Sequence, residues 1–83
     1  MSQIATDVKS FVLDNFLPGE DPENLTSDTP LITGGILDSI GTLKLVVFLE
    51  NHFEVTLEAH EAGADHLDTI DSIESLITAK KVA

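Results

Sequence analysis

Between Leu17 and Asp38 the chain reads Leu-Pro-Gly-Glu-Asp-Pro-Glu-Asn-Leu-Thr-Ser-Asp-Thr-Pro-Leu-Ile-Thr-Gly-Gly-Ile-Leu-Asp, and nothing in it repeats with the period of a helix or a strand. It is turn chemistry, punctuated by Pro and Gly. Loops longer than about 15 residues are uncommon in compact domains, and those that occur are functional or pinned by their own side chains. Leu25, Leu31, Ile32, Ile36 and Leu37 are the expected pins. Folding therefore falls to the periodic segments on either side.

Those segments have helical spacing. Ile4, Val8, Phe11, Val12, Asn15 and Phe16 recur at intervals of three and four, which predicts an amphipathic helix over residues 3 to 16, ended by Pro18-Gly19. A second helix is expected from Ser39 to Phe53. At about 100° per residue, Leu45, Phe48, Leu49 and Phe53 share one face with Gly41 and Thr42, and this face is the expected core. Ile40, Leu43 and Val47 share another, flanked by Lys44, Glu50 and Asn51. A small bundle buries one stripe of a helix, so part of this second face is expected to stay exposed or to meet a partner.

Beyond Phe53, Val55 and Leu57 alternate over too short a span for a strand, and Glu58 to Leu67 has room for a weak turn or two of helix. Gly63 weakens that segment, since a helix-interior glycine costs about 1 kcal/mol. Thr69 is a candidate cap for a last helix striped by Ile70, Ile73, Leu76 and Ile77. Asp71 and Glu74 suit the positive end of its dipole, and Lys80 and Lys81 the negative end.

Ser39 is the residue with chemistry to explain. Asp38-Ser39 stands where loop becomes helix, and unpaired N–H groups together with the helix dipole favour an anion such as phosphate there. An isolated Asp-Ser before an apolar run is ordinarily a plain cap. A hydrolase serine is a poor alternative. Leu37-Asp38-Ser39-Ile40-Gly41 lacks the first glycine of a nucleophile elbow, no strand precedes it, and 83 residues cannot hold the required sheet.

Composition narrows the partners. Fifteen acidic residues against four basic ones give a formal charge of −11. Nucleic acid and anionic membrane surfaces carry the same sign and are disfavoured, whereas basic protein surfaces are complementary. The chain has no Cys, so any thiol must come from an added group. His52, His60 and His66 read as surface or capping residues, and Asp65 to Asp71 lacks the spacing of a calcium loop, so no metal site is expected. Without a signal-like N-terminus or a long apolar run, the expectation is a soluble, cytoplasmic protein with no membrane insertion.

The Asp28 to Ile40 segment resembles the attachment motif of the acyl and peptidyl carrier protein family, in which Asp-Ser-Leu or Asp-Ser-Ile follows a Gly-containing loop and opens the second helix. Glu50-x-x-Phe53-x-Val55 and Thr69-Ile70-x-x-Ile73 resemble further parts of that pattern. Asp38-Ser39-x-Gly41-Thr42 is similar to the D-alanyl carrier proteins.

The resemblance implies a single carrier domain over residues 1–83. Its fold would be an all-α four-helix bundle with a long loop between helices one and two and a short third helix. It implies 4′-phosphopantetheine on Ser39 through a phosphodiester, with an acyl or aminoacyl group held as a thioester. Asp38 would cap or orient helix two, and Gly41 would leave the turn beside Ser39 uncrowded. The protein itself would not be an enzyme. Its partners would be a phosphopantetheinyl transferase and an acyl- or aminoacyl-loading ligase or synthase, docking on Ile40, Leu43, Val47 and Glu50, and it would act as a monomer. An acyl cargo in a specialised fatty-acid, polyketide or lipid pathway is the leading expectation, with an aminoacyl or peptidyl carrier as the alternative. The third reading is an unmodified acidic binding module. The chain departs from fatty-acid carriers in showing Lys44, Asn51 and His52 on helix two where those typically present acids.

Overall fold

A computed structural model describes residues 3–82 of the chain. Helix α1 spans Gln3–Phe16, α2 Ser39–Phe53, α3 Ala64–Leu67 and α4 Ile70–Val82, with single 3₁₀ turns at Pro22–Asn24 and Ala59–Glu61. Among the described residues no strand forms, and the architecture is a small four-helix bundle. Val55 and Leu57 pack against the core from an irregular segment.

The two long helices begin and end where the sequence places them. In α1, Ala5, Val8 and Val12 are buried on one stripe, and Pro18 follows closely on its last residue. Helix α2 ends on Glu54, which takes the left-handed conformation (φ 57°, ψ 48°) and donates its N–H to the Glu50 carbonyl. At the start of α4, the Thr69 hydroxyl accepts the Ser72 N–H at 3.0 Å and the Thr69 carbonyl accepts the Ile73 N–H at 3.0 Å. Gly63 does not lie inside a helix as expected. It is the N-cap of α3, and the preceding segment spends its hydrogen bonds on a 3₁₀ turn whose Glu61 carboxylate reaches back to the Glu58 N–H at 2.9 Å.

The core is built from fourteen buried apolar side chains with no buried polar one among the described residues. Three of them, Leu25, Leu31 and Leu37, come from the long loop and are at most 2% exposed. Burying a leucine stabilises by about 1.5–3 kcal/mol, so the loop is anchored as firmly as a helix turn would be. Ile32 and Ile36 pack partly against the same core. Backbone bonds add register, with Leu37 N–H to Leu31 O at 2.8 Å and Asp71 N–H to Ser27 O at 3.0 Å. Gly34 has no room for a side chain, since a Cβ there would lie 2.2 Å from the Pro30 carbonyl oxygen. Helix α1 packs chiefly on α4, and α2 closes the other side.

Charged side chains tie the C-terminal end of α4 to its neighbours. The Lys81 ammonium donates to the Phe53 carbonyl at 3.1 Å, where the last carbonyls of α2 lack helical partners. Lys80 pairs with Glu61 at 2.7 Å.

Candidate functional site

Ser39 is the first residue of α2, and it is exposed. Asp38 precedes it in extended conformation (φ −88°, ψ −170°) and caps the helix, its Oδ1 accepting the Gly41 N–H at 2.6 Å and its carbonyl the Thr42 N–H at 2.8 Å. That arrangement consumes the third and fourth amides of the helix, and the Ser39 and Ile40 amides, at the positive end of the dipole, have no partner within the helix. The Ser39 hydroxyl makes no hydrogen bond to another described residue. The hydroxyl is therefore exposed and unbonded on the capped first turn of the helix.

Gly41 has a packing role in this structure. It is buried, and a Cβ there would come within 3.0 Å of the Phe16 ring and 3.2 Å of Asp38 Oδ1. Its lack of a side chain lets the start of α2 close onto the end of α1, on the side away from the hydroxyl. Space beside Ser39 comes instead from an open pocket of about 470 Å³. Ile32 and Leu37 form its loop wall, Ala62, Gly63 and Ala64 the opposite wall, and Thr42 lies beneath. Small residues on the far wall keep it roomy.

Asp68, just after α3, bonds the loop that carries Ile32, and it is the residue that sequence reasoning missed. Its carboxylate accepts the Ile32 N–H at 2.8 Å, the Thr33 N–H at 2.9 Å and the Thr33 hydroxyl at 2.8 Å. The Thr33 amide and hydroxyl, with the Ile32 amide, hold this carboxyl below the ordinary aspartate value, against an opposing push from partial desolvation.

The second face of α2 is open. Ile40 is 67% exposed, Leu43 62% and Val47 48%, the large exposed apolar side chains among the described residues. Beside them runs a shallow groove of about 790 Å³ between α1 and α2, bordered by Phe11, Lys44, Phe48 and His52. Phe48 stacks between Phe11 (centroids 4.1 Å apart) and His52 (4.9 Å), and His52 Nε2 meets Asp7 Oδ2 at 2.9 Å, joining the two helices. The hydrogen bond from His52 holds the Asp7 carboxyl below its ordinary value. Glu50 sits at the edge of this face, half-buried, and its carboxylate accepts the Leu57 N–H at 3.0 Å. That contact is internal, to the segment leaving α2, and leaves Glu50 partly exposed at the edge of the face.

An exposed serine thus opens the second helix of a small all-α bundle, behind an aspartate cap, and the proteins that the chain is similar to are named as carriers. No protein-family model matches the chain. It is 45% identical over 51 residues to the D-alanyl carrier protein of Streptococcus mutans, covering 61% of this chain and 65% of that protein. It is 39% identical over 51 residues to the D-alanyl carrier protein of Streptococcus sanguinis, with the same coverage, and 41% identical over 46 residues to that of Streptococcus uberis, covering 55% of this chain and 58% of the relative. The chain thus spans a little under two thirds of the length of these relatives. No helix among the described residues is long and apolar enough to cross a membrane.

Proposed function

We propose that this protein is a carrier for an aminoacyl group, D-alanyl by similarity to its relatives, and that Ser39 is its point of attachment for 4′-phosphopantetheine. The observation that carries the reading is the unbonded, exposed hydroxyl of Ser39 on the capped first turn of α2, in a chain similar to proteins named as D-alanyl carriers. The surroundings fit such an arm: two amides without helical partners at a helix N-terminus suit its phosphate, and the open pocket walled by Ala62, Gly63 and Ala64 leaves room for its first atoms. When bound, the arm supplies the thiol that this cysteine-free chain lacks, and that thiol holds the cargo as a thioester.

In the attachment step Ser39 Oγ attacks the β-phosphorus of coenzyme A. The new O–P bond forms as the bond to adenosine 3′,5′-bisphosphate breaks, and the serine proton passes to a base of the transferase. This chain contributes presentation: Asp38 fixes the turn, and Gly41 lets it seat against Phe16. The partners would be the transferase and an aminoacyl-loading ligase. An acyl cargo stood first on sequence grounds, and the similarity to D-alanyl carriers now favours the aminoacyl alternative.

The test is intact-mass analysis after incubation with coenzyme A and a broad-specificity phosphopantetheinyl transferase, followed by offering the holo protein D-alanine or a fatty acid with the matching ligase. Wild type should gain one phosphopantetheine and then the amino acid. Ser39→Ala should fold and gain neither, despite the hydroxyls of Ser27, Thr33 and Thr42. An arm on that mutant would refute the attachment site, and preferential fatty-acid loading would refute the cargo.

A further inference from the structure

Two segments distant in sequence line the pocket beside Ser39, the loop at Ile32 and Leu37 and the start of α3, and one side chain at the other end of α3 bonds the loop. Asp68 follows the last residue of α3 and precedes the cap of α4. Its carboxylate takes three hydrogen bonds from Ile32 and Thr33, and its carbonyl takes a fourth from the Leu31 N–H. The clamp bridges 35 and 36 positions of chain. From the clamped end, the bond between Leu37 N–H and Leu31 O at 2.8 Å carries the constraint to the residue that precedes Asp38. The loop therefore reaches Ser39 already fixed relative to α3.

We infer that Asp68 is a positioning residue for Ser39: by holding residues 31–33 against the end of α3, it sets the width of the pocket beside the hydroxyl and the pose in which a modifying enzyme meets it. The inference rests on the carrier reading. Two features separate this role from plain fold maintenance. Leu25, Leu31 and Leu37 anchor the loop in the core through apolar burial, which the carboxylate does not itself supply. The carboxylate itself acts on Ile32 and Thr33, just before the Gly34-Gly35 pair, and Thr33 is exposed and outside the core. Charge-assisted hydrogen bonds are roughly twice as strong as neutral ones, so an amide in place of the carboxylate weakens all three contacts at once and presents a donor to the Thr33 hydroxyl.

The experiment compares apo wild type, Asp68→Asn, Thr33→Val and Thr33→Ser, each shown folded by circular dichroism, as substrates of a phosphopantetheinyl transferase with coenzyme A, alongside amide exchange at Ile32 and Thr33. Misplacement by an ångström can cost a hundredfold, so a partial loosening should lower kcat on the order of tenfold in Asp68→Asn and less in Thr33→Val. Because the exposed face of α2 is untouched, KM should stay within about twofold. Thr33→Ser, which keeps the hydroxyl, should match wild type. Faster exchange at Ile32 and Thr33 with unchanged kcat would overturn the inference, as would a change confined to KM. If Asp68→Asn does not fold, Thr33→Val, which removes a single bond, decides by the same criteria. A wild type that accepts no arm would refute the carrier reading together with this inference, whereas a wild type modified at Ser39 beside an equally fast Asp68→Asn would refute the inference alone.

Discussion

Gly41 and Glu54 mark the two ends of α2, and each is held to its conformation by a constraint that a single substitution exposes. A methyl group at Gly41 would press on the Phe16 ring at 3.0 Å and on the capping oxygen of Asp38 at 3.2 Å. Gly41→Ala should therefore cost about 1–3 kcal/mol in denaturant unfolding, the range for overpacking a close contact, while leaving the Ser39 side of the turn as open as before. Glu54 is the described non-glycine residue with positive φ, at 57°. The left-handed conformation costs an L-residue about 1–2 kcal/mol, part of which glycine returns as unfolded-state entropy, so Glu54→Gly should stabilise by roughly 0.5–1 kcal/mol. An unchanged or lower midpoint would mean that the Glu54 side chain contributes more than its backbone strain. At this scale the sequence was legible where chemistry is local. Asp38 as cap and Thr69 as cap follow from residue type and neighbours, whereas the purpose of Gly41 depends on Phe16 and that of Asp68 on Thr33, partners that only the fold brings near.

Helices α1, α2 and α4 were readable because each carries a long apolar period between clear stop signals. A short third helix within Glu58 to Leu67 was expected, but its limits were not readable, since four residues hold too little periodicity and the turns begin at Glu58 and Gly63. The two faces of α2 also followed from angular spacing, with Leu45 and Leu49 fully buried and Ile40, Leu43 and Val47 left in solvent. What spacing alone missed is that Glu50 turns its carboxylate to Leu57 N–H. The distinction matters for how α2 meets a partner. Val47→Asp should leave the unfolding free energy within about 0.5 kcal/mol of wild type, because the site is exposed. It should weaken a transferase or ligase by roughly 1–3 kcal/mol if Val47 is covered in the complex. Glu50→Gln keeps the acceptor for Leu57 and changes only charge, so it should cost the complex at most about 1 kcal/mol. Binding measured on holo protein at one salt concentration separates the cases. A larger loss in Glu50→Gln than in Val47→Asp would show that docking is electrostatic.

Over the whole molecule, the net charge of −11 and the internal carboxylate contacts pull stability in opposite directions as pH falls. Near neutrality repulsion among acids should dominate the long-range balance. Raising ionic strength shortens the Debye length from about 30 Å at 0.01 M to about 8 Å at 0.15 M, and the thermal midpoint should rise with it. Acid titration reverses the argument for three groups. Asp7, Glu61 and Asp68 are each held below their ordinary values, by His52, by Lys80 and by Thr33 respectively. A depressed folded-state pKa means that the unfolded chain binds protons first, so the stability these contacts give is fully present above the ordinary values of 3.8 for aspartate and 4.5 for glutamate and is lost as pH falls through the lower folded-state values. The midpoint should therefore fall steeply below about pH 4 even though the acidic repulsion is then disappearing, and added salt should no longer help. Asp68→Asn removes one of the three titrations while sparing the core, so its acid limb should be shallower than that of wild type, and the two should converge at the lowest pH, where the wild-type carboxyl is neutral as the amide always is. Parallel limbs with a constant offset would show that Asp68 stabilises through shape and not through its charge, and would move the acid sensitivity of the fold to the Asp7–His52 and Glu61–Lys80 contacts.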